Sequence, residues 1–159
     1  MIDKDSQLWK YLSDGQKGLV EESFFLLEDI EKHPDTRLTD YSYLVFPIAK
    51  AYEGFLKQLF LDRGYINQAT YQSNHFRLGK ALSPHMTHHL GDVSVYFQIQ
   101  KNCGREVAEK IWQMWKRGRN LIFHYFPHNL RAVSLQEARE IIYDFVRVMS
   151  EAMYECRQN

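Results

Sequence analysis

Tyr41-Ser42-Tyr43-Leu44-Val45-Phe46-Pro47-Ile48-Ala49-Lys50-Ala51-Tyr52-Glu53-Gly54-Phe55-Leu56-Lys57-Gln58-Leu59-Phe60 is apolar on two sides at once. Phe46, Ala49, Glu53, Leu56 and Phe60 follow a 3-4-3-4 spacing, and Val45, Ile48, Tyr52, Phe55 and Leu59 form a second stripe opposite. Helical periodicity with two apolar stripes describes a helix walled in by others. The stretch from Asp40 to Arg63, ended by Gly64, therefore reads as the central helix of an all-α domain. Pro47 falls within its first two turns, where a start shifted to about Phe46 or a kink accommodates it. Glu53 is the odd member, because a carboxylate buried in an apolar stripe needs a cation or hydrogen-bond donors.

Working outward, residues from about Gln16 to Lys32 place Leu19, Val20, Ser23, Phe24, Leu27 and Ile30 on one side, and His33-Pro34-Asp35 closes that segment. Arg105 to His124 is helical again, stopped by Pro127. Ser134-Leu135-Gln136-Glu137 is a capping box opening a last helix, whose inward face is Ala138, Ile141, Ile142, Phe145, Val148, Met149 and Ala152. Between residues 65 and 104, Asn67, Asn74, Gly79, Pro84, Gly91 and Gly104 break the chain into short pieces. Val93, Val95, Phe97 and Ile99 alternate as a strand does, yet nothing nearby offers a second strand to pair with, so short helices and loops are expected. The whole predicts a single-domain helical bundle over residues 1–159, with four main helices plus short ones and no repeat or linker.

Apolar content of 45% in 159 residues supports one sizeable core. Twenty basic and twenty acidic residues cancel, so no whole-molecule field recruits nucleic acid. Any RNA contact must come from a local patch, and Lys110, Lys116, Arg117 and Arg119 form one without an intervening acid. Cys103 and Cys156 lack metal-type spacing and read as free thiols in a reducing cytosol. The N-terminus has no apolar signal core and no run approaches membrane-spanning length, which predicts a cytoplasmic protein with no membrane contact. His85, His88 and His89, with His75 nearby, have no acidic or thiolate partner at ligand spacing. They read as a loop or partner-facing cluster, and neither metal nor cofactor is expected.

Arg119-Asn120-Leu121-Ile122-Phe123-His124 carries the chemistry. Guanidinium holds phosphoryl oxygens as charge builds on them, and imidazole moves protons near neutral pH. An Arg-x4-His pair alone arises by chance in roughly four chains in ten of this composition, but requiring Asn after the Arg lowers that to roughly two in a hundred. The pattern resembles the Arg-polar-x-x-x-His motif of the HEPN superfamily of small helical bundles, common in toxin–antitoxin and antiphage systems. The Asp40–Phe60 stretch is also similar to the C-terminal toxin domain of the RNase LS (RnlA/LsoA-like) family.

The resemblance implies a metal-independent endoribonuclease that completes its site across a homodimer and is restrained by an antitoxin-like protein. Under it Arg119 braces the phosphate, His124 moves the proton, and Asn120 orients ring or substrate. Glu53 would pair with Arg119 or His124 and position it, while Tyr125, Lys110 and Lys116 would contact RNA. Some superfamily toxins are silenced on a tyrosine two residues after the motif His; Phe126 stands there instead. On an ideal helix Arg119 and His124 lie about 140° apart, so distortion or a second subunit is required. Lys110, Gln113, Arg117, Asn120 and His124 form a polar stripe on that helix, which makes Arg117 a rival or helper for the cation role. The plainer reading of that stripe is a solvated face of an amphipathic helix, in a module that binds protein, nucleotide or RNA without cutting it.

Overall fold

Ser13 opens the first long helix, α1 (Asp14–Glu31): its hydroxyl accepts the Gln16 N–H while the Gln16 side chain accepts the Ser13 N–H, a reciprocal cap. These coordinates are a computed structural model describing residues 2–157; Met1, Gln158 and Asn159, at the ends of the expected 1–159 domain, lie outside the described residues. Helix α1 buries Val20, Ser23, Phe24, Leu27 and Ile30 against α2 (Ser42–Asp62). Helix α2 starts at Ser42 and runs through Pro47, so of the two accommodations expected for the proline the start shifted to about Phe46 is overturned. Proline disrupts the carbonyl ladder of the preceding turn, and the buried Ser23 hydroxyl accepts the Ile48 N–H at 3.0 Å. A serine on an otherwise apolar face thus holds the backbone of the facing helix one residue past its proline.

Short pieces follow, as the punctuation of the connector requires. One-turn helices occupy Gln68–Gln72, Leu78–Ala81 and Thr87–Leu90, with 3₁₀ turns at Pro84–Met86 and Gly91–Val93. The alternating stretch is helical: α3 (Val95–Cys103) is capped by Ser94, whose hydroxyl accepts the Phe97 N–H. Among the described residues there is no strand. Gly104, at a φ of 99° that favours glycine, turns α3 into α4 (Arg105–Trp115). Helix α4 passes into a π-helical segment, Lys116–Leu121. The last helix, α5 (Leu135–Arg157), starts where Ser134 accepts the Glu137 N–H, and every residue of its expected inward face is buried.

Helix α2 contacts α1 on one side and α5 on another, which explains its two apolar stripes. Its Leu44, Val45, Ile48, Tyr52, Phe55 and Phe60 are fully buried. Tyr52 stacks against Phe145 of α5 with ring centroids 4.9 Å apart and donates its hydroxyl to the Ile111 carbonyl of α4 at 3.0 Å. Burial pushes that phenol well above its ordinary range, so it stays a donor. One tyrosine therefore ties three helices together.

The cysteines correct a sequence expectation. Cys103 and Cys156 are joined in a disulfide, with Cα atoms 4.7 Å apart. They end α3 and α5, which pack together, and 53 residues of separation hide that proximity from a reading along the chain. Among the described residues no helix is long and apolar enough to cross a membrane.

Candidate functional site

Gly118 decides where the two arginines go. It is buried, and a Cβ built there would lie 2.4 Å from Met114 Cε and 2.5 Å from Phe145 Cζ. Only a residue without a side chain lets the π segment press this closely on α5. Arg117, on one side, meets Asp144 at 2.9 Å and Glu140 at 3.8 Å. Arg119 turns the other way, toward α2. In an unbroken α-helix Arg117 and Asn120 share a face; the under-wound π turn separates them, and Asn120 lines a groove together with Arg119. The single polar stripe of the sequence is therefore split.

Arg119 Nε stands 3.6 Å from Glu53 Oε2, and the other Glu53 oxygen lies 3.1 Å from Lys57 Nζ. The Arg119 guanidinium sits 5.5 Å from the Phe123 ring centroid and 5.9 Å from that of Trp115. Phe123 is held edge-on by the exposed Phe46 at 5.5 Å. Glu53 is not buried as its stripe suggested: its side chain is 28% exposed, and that of Arg119 36%. A pair this open stabilises the fold by no more than about 1 kcal/mol. Its consequence is geometric, since it draws the guanidinium toward the α2 face of the surface.

Two open grooves meet at this pair. One, of about 430 Å³, is lined by Glu53, Arg77, Lys80, Trp112, Arg119 and Asn120 among others. The second, of about 330 Å³, has Phe46, Lys50, Glu53, Gly54, Lys57 and Arg119 on its walls. Five cations and one carboxylate thus line the two grooves, and two of the cations, Lys57 and Arg119, stand beside that carboxylate. Lys50, Lys57, Arg77 and Lys80 were not anticipated as site residues. Lys50, Glu53 and Lys57 follow a 3-4 helical spacing that could have been read, whereas Arg77 and Lys80 lie in the aperiodic connector, where nothing marked them.

The other sequence candidates lie elsewhere. Lys110 pairs with Glu106 at 2.9 Å and Glu151 at 3.0 Å; the bond from Lys110 holds the Glu106 carboxyl below its usual range, and both acids raise the lysine. Lys116 is exposed. His124 lies exposed on the turn after the π segment, and its backbone N–H is 3.4 Å from the Leu121 carbonyl. No hydrogen bond or ion pair joins its imidazole to a described residue, and it lines neither groove. Tyr125 is 78% exposed beside it. His85, His88 and His89 are exposed, and among the described residues no group of three or more His, Cys, Asp or Glu is placed to hold a metal ion.

This arrangement defines a small all-α domain that carries a cation-rich groove along its central helix. Residues 22–125 match the family described as RNase LS, bacterial toxin DBD domain, a span that contains Glu53, Arg119, Asn120 and His124. The chain belongs to that family. No curated protein and no solved structure matches it significantly.

Proposed function

We propose that the protein is a metal-independent endoribonuclease of HEPN type, acting in a toxin–antitoxin or antiphage system. The observation that carries this reading is the Glu53–Arg119 pair at the junction of two cation-lined grooves. A guanidinium aimed by a carboxylate and flanked by aromatic faces suits a phosphodiester that gains negative charge as it reacts. His124 acts as the proton carrier. It takes the proton of a ribose 2′-OH as that oxygen attacks phosphorus, or delivers a proton to the departing 5′-oxygen. The products are a 2′,3′-cyclic phosphate and a 5′-OH, and DNA is inert because it lacks the nucleophile.

His124 lines neither groove of its own chain, so the site is completed by a second copy, the two motifs meeting across a homodimer axis. Phe46, Tyr125 and Leu130 supply exposed apolar surface near the motif, and an antitoxin-like protein covers the site when the toxin is silent. The unsupported imidazole also favours a second reading, a non-catalytic module that binds RNA or protein. Induced expression separates the two: the unaltered chain should arrest growth, while Arg119→Ala and His124→Ala should be tolerated at equal protein levels. Equal toxicity of all three refutes the catalytic assignment; harmless expression of all three favours the binding module.

A further inference from the structure

We propose that the two grooves form one continuous track for the backbone of single-stranded RNA, with Lys50, Lys57, Arg77 and Lys80 as its phosphate contacts and Trp112 as a platform for a base. The identity of the ligand rests on the ribonuclease reading above; the track itself rests on separate observations. The grooves share Glu53 and Arg119, so a strand lying through both passes the pair at its midpoint. Lys50 and Lys80 are exposed, and no ion pair joins either to a described residue. Arg77 is exposed too, with one bond from its Nη1 to the Asn74 carbonyl at 3.3 Å. Lys110 and Arg117, outside the grooves, are matched by acids, whereas Lys50 and Lys80 stand beside the grooves with their charges unpaired by any described residue.

Half-buried Trp112 and Phe76 stand among these cations on the groove wall. Cations that follow a backbone, together with aromatic faces on which bases stack, are the pattern of single-strand binding. An acidic protein surface would use the cations and leave the aromatic faces without a role. Gly79 shapes the wall: a Cβ there would lie 2.6 Å from Trp115 Nε1, so the connector bearing Arg77 and Lys80 is drawn against α4 and beside Arg119.

The test is fluorescence anisotropy with a labelled single-stranded oligoribonucleotide carrying 2′-O-methyl groups, which binds but has no nucleophile. Each phosphate contact contributes a slope of about 0.7 in log K against log salt for single strands, or about 5-fold in affinity at 0.1 M. Lys50→Ala/Lys80→Ala should therefore weaken binding about 25-fold at 0.1 M salt and lower the slope by about 1.4. Lys50→Arg/Lys80→Arg should restore both. Lys32→Ala/Lys101→Ala, with the same charge loss outside the grooves, should change neither. Unchanged affinity and slope in the first variant overturns the track, as does the absence of binding by the unaltered chain or equal competition by duplex RNA. The outcomes separate from those of the parent reading. A chain that cuts natural RNA with a KM indifferent to Lys50 and Lys80 keeps the nuclease and loses the track, whereas track-dependent binding without any cutting does the reverse.

Discussion

Replacing Gly118 by alanine should destabilise the domain, although helix propensity alone argues the opposite. Alanine is favoured over glycine inside a helix by about 1 kcal/mol. Against that gain, the new methyl would stand 2.4 Å from Met114 Cε and 2.5 and 2.8 Å from two atoms of the Phe145 ring. Met114 can swing its terminal methyl away. Phe145 is fully buried against Tyr52, and a ring in a close-packed interior has little room to move. Overpacking a core by one methyl costs about 1–3 kcal/mol, and the stiff ring places this site toward the upper end. The net loss is then about 1–2 kcal/mol, and for a chain of this size each kcal/mol lowers Tm by about 2–4 °C. Differential scanning calorimetry should show Tm lower by about 2–8 °C. Phe145→Leu should recover part of the loss in the double variant, because the two changes share one contact. A Tm equal to or above that of the parent chain would refute the claim that glycine is required for the close approach of the π segment to α5.

Ser23→Ala should cost about 1 kcal/mol by removing a buried hydrogen bond to the Ile48 N–H, with faster hydrogen exchange at Ile48; an unchanged denaturation midpoint would contradict a structural role for that bond. Removing the Cys103–Cys156 bond releases the constraint on a 53-residue loop in the unfolded chain, a loss of roughly 4 kcal/mol on chain-entropy grounds. Reductant, or the double serine variant, should lower the urea midpoint accordingly, and equal midpoints would show that the bond does not form in solution. Glu53→Gln should leave Tm almost unchanged, as the pair is open to solvent, while lowering kcat roughly 10²-fold through a misdirected Arg119, with KM for RNA little altered.

The long helices were legible because each carries an apolar face of period 3.6, and Ser134 with Glu137 also marks the start of the last one; α1 begins at Asp14, ahead of the expected Gln16, on a Ser13 cap outside that periodic face. Helix α2 announced its central place through two opposed stripes. The π segment was not legible. Gly118 lies between two arginines and looks like an ordinary interruption until Phe145 is seen against it. The disulfide escaped for the same reason, since its two ends meet only when α3 and α5 pack. Of the site, a carboxylate placed in an apolar stripe called for a cation or donor, with Arg119 and His124 both as candidates; Arg119 is the one that stands beside Glu53, and the exposure of the pair was not legible. The basic wall from Arg77 to Lys80 sits in a connector with no periodicity, where sequence spacing holds no information about direction.

Incubating purified protein with single-stranded RNA in excess EDTA, and mapping the ends of the products, reaches the central claim most directly. The account predicts fragments ending in 2′,3′-cyclic phosphate and 5′-hydroxyl from the unaltered chain, and none from a His124→Ala variant that melts at the same temperature. Intact RNA with the unaltered chain, or the same fragments from the His124→Ala protein, would contradict it.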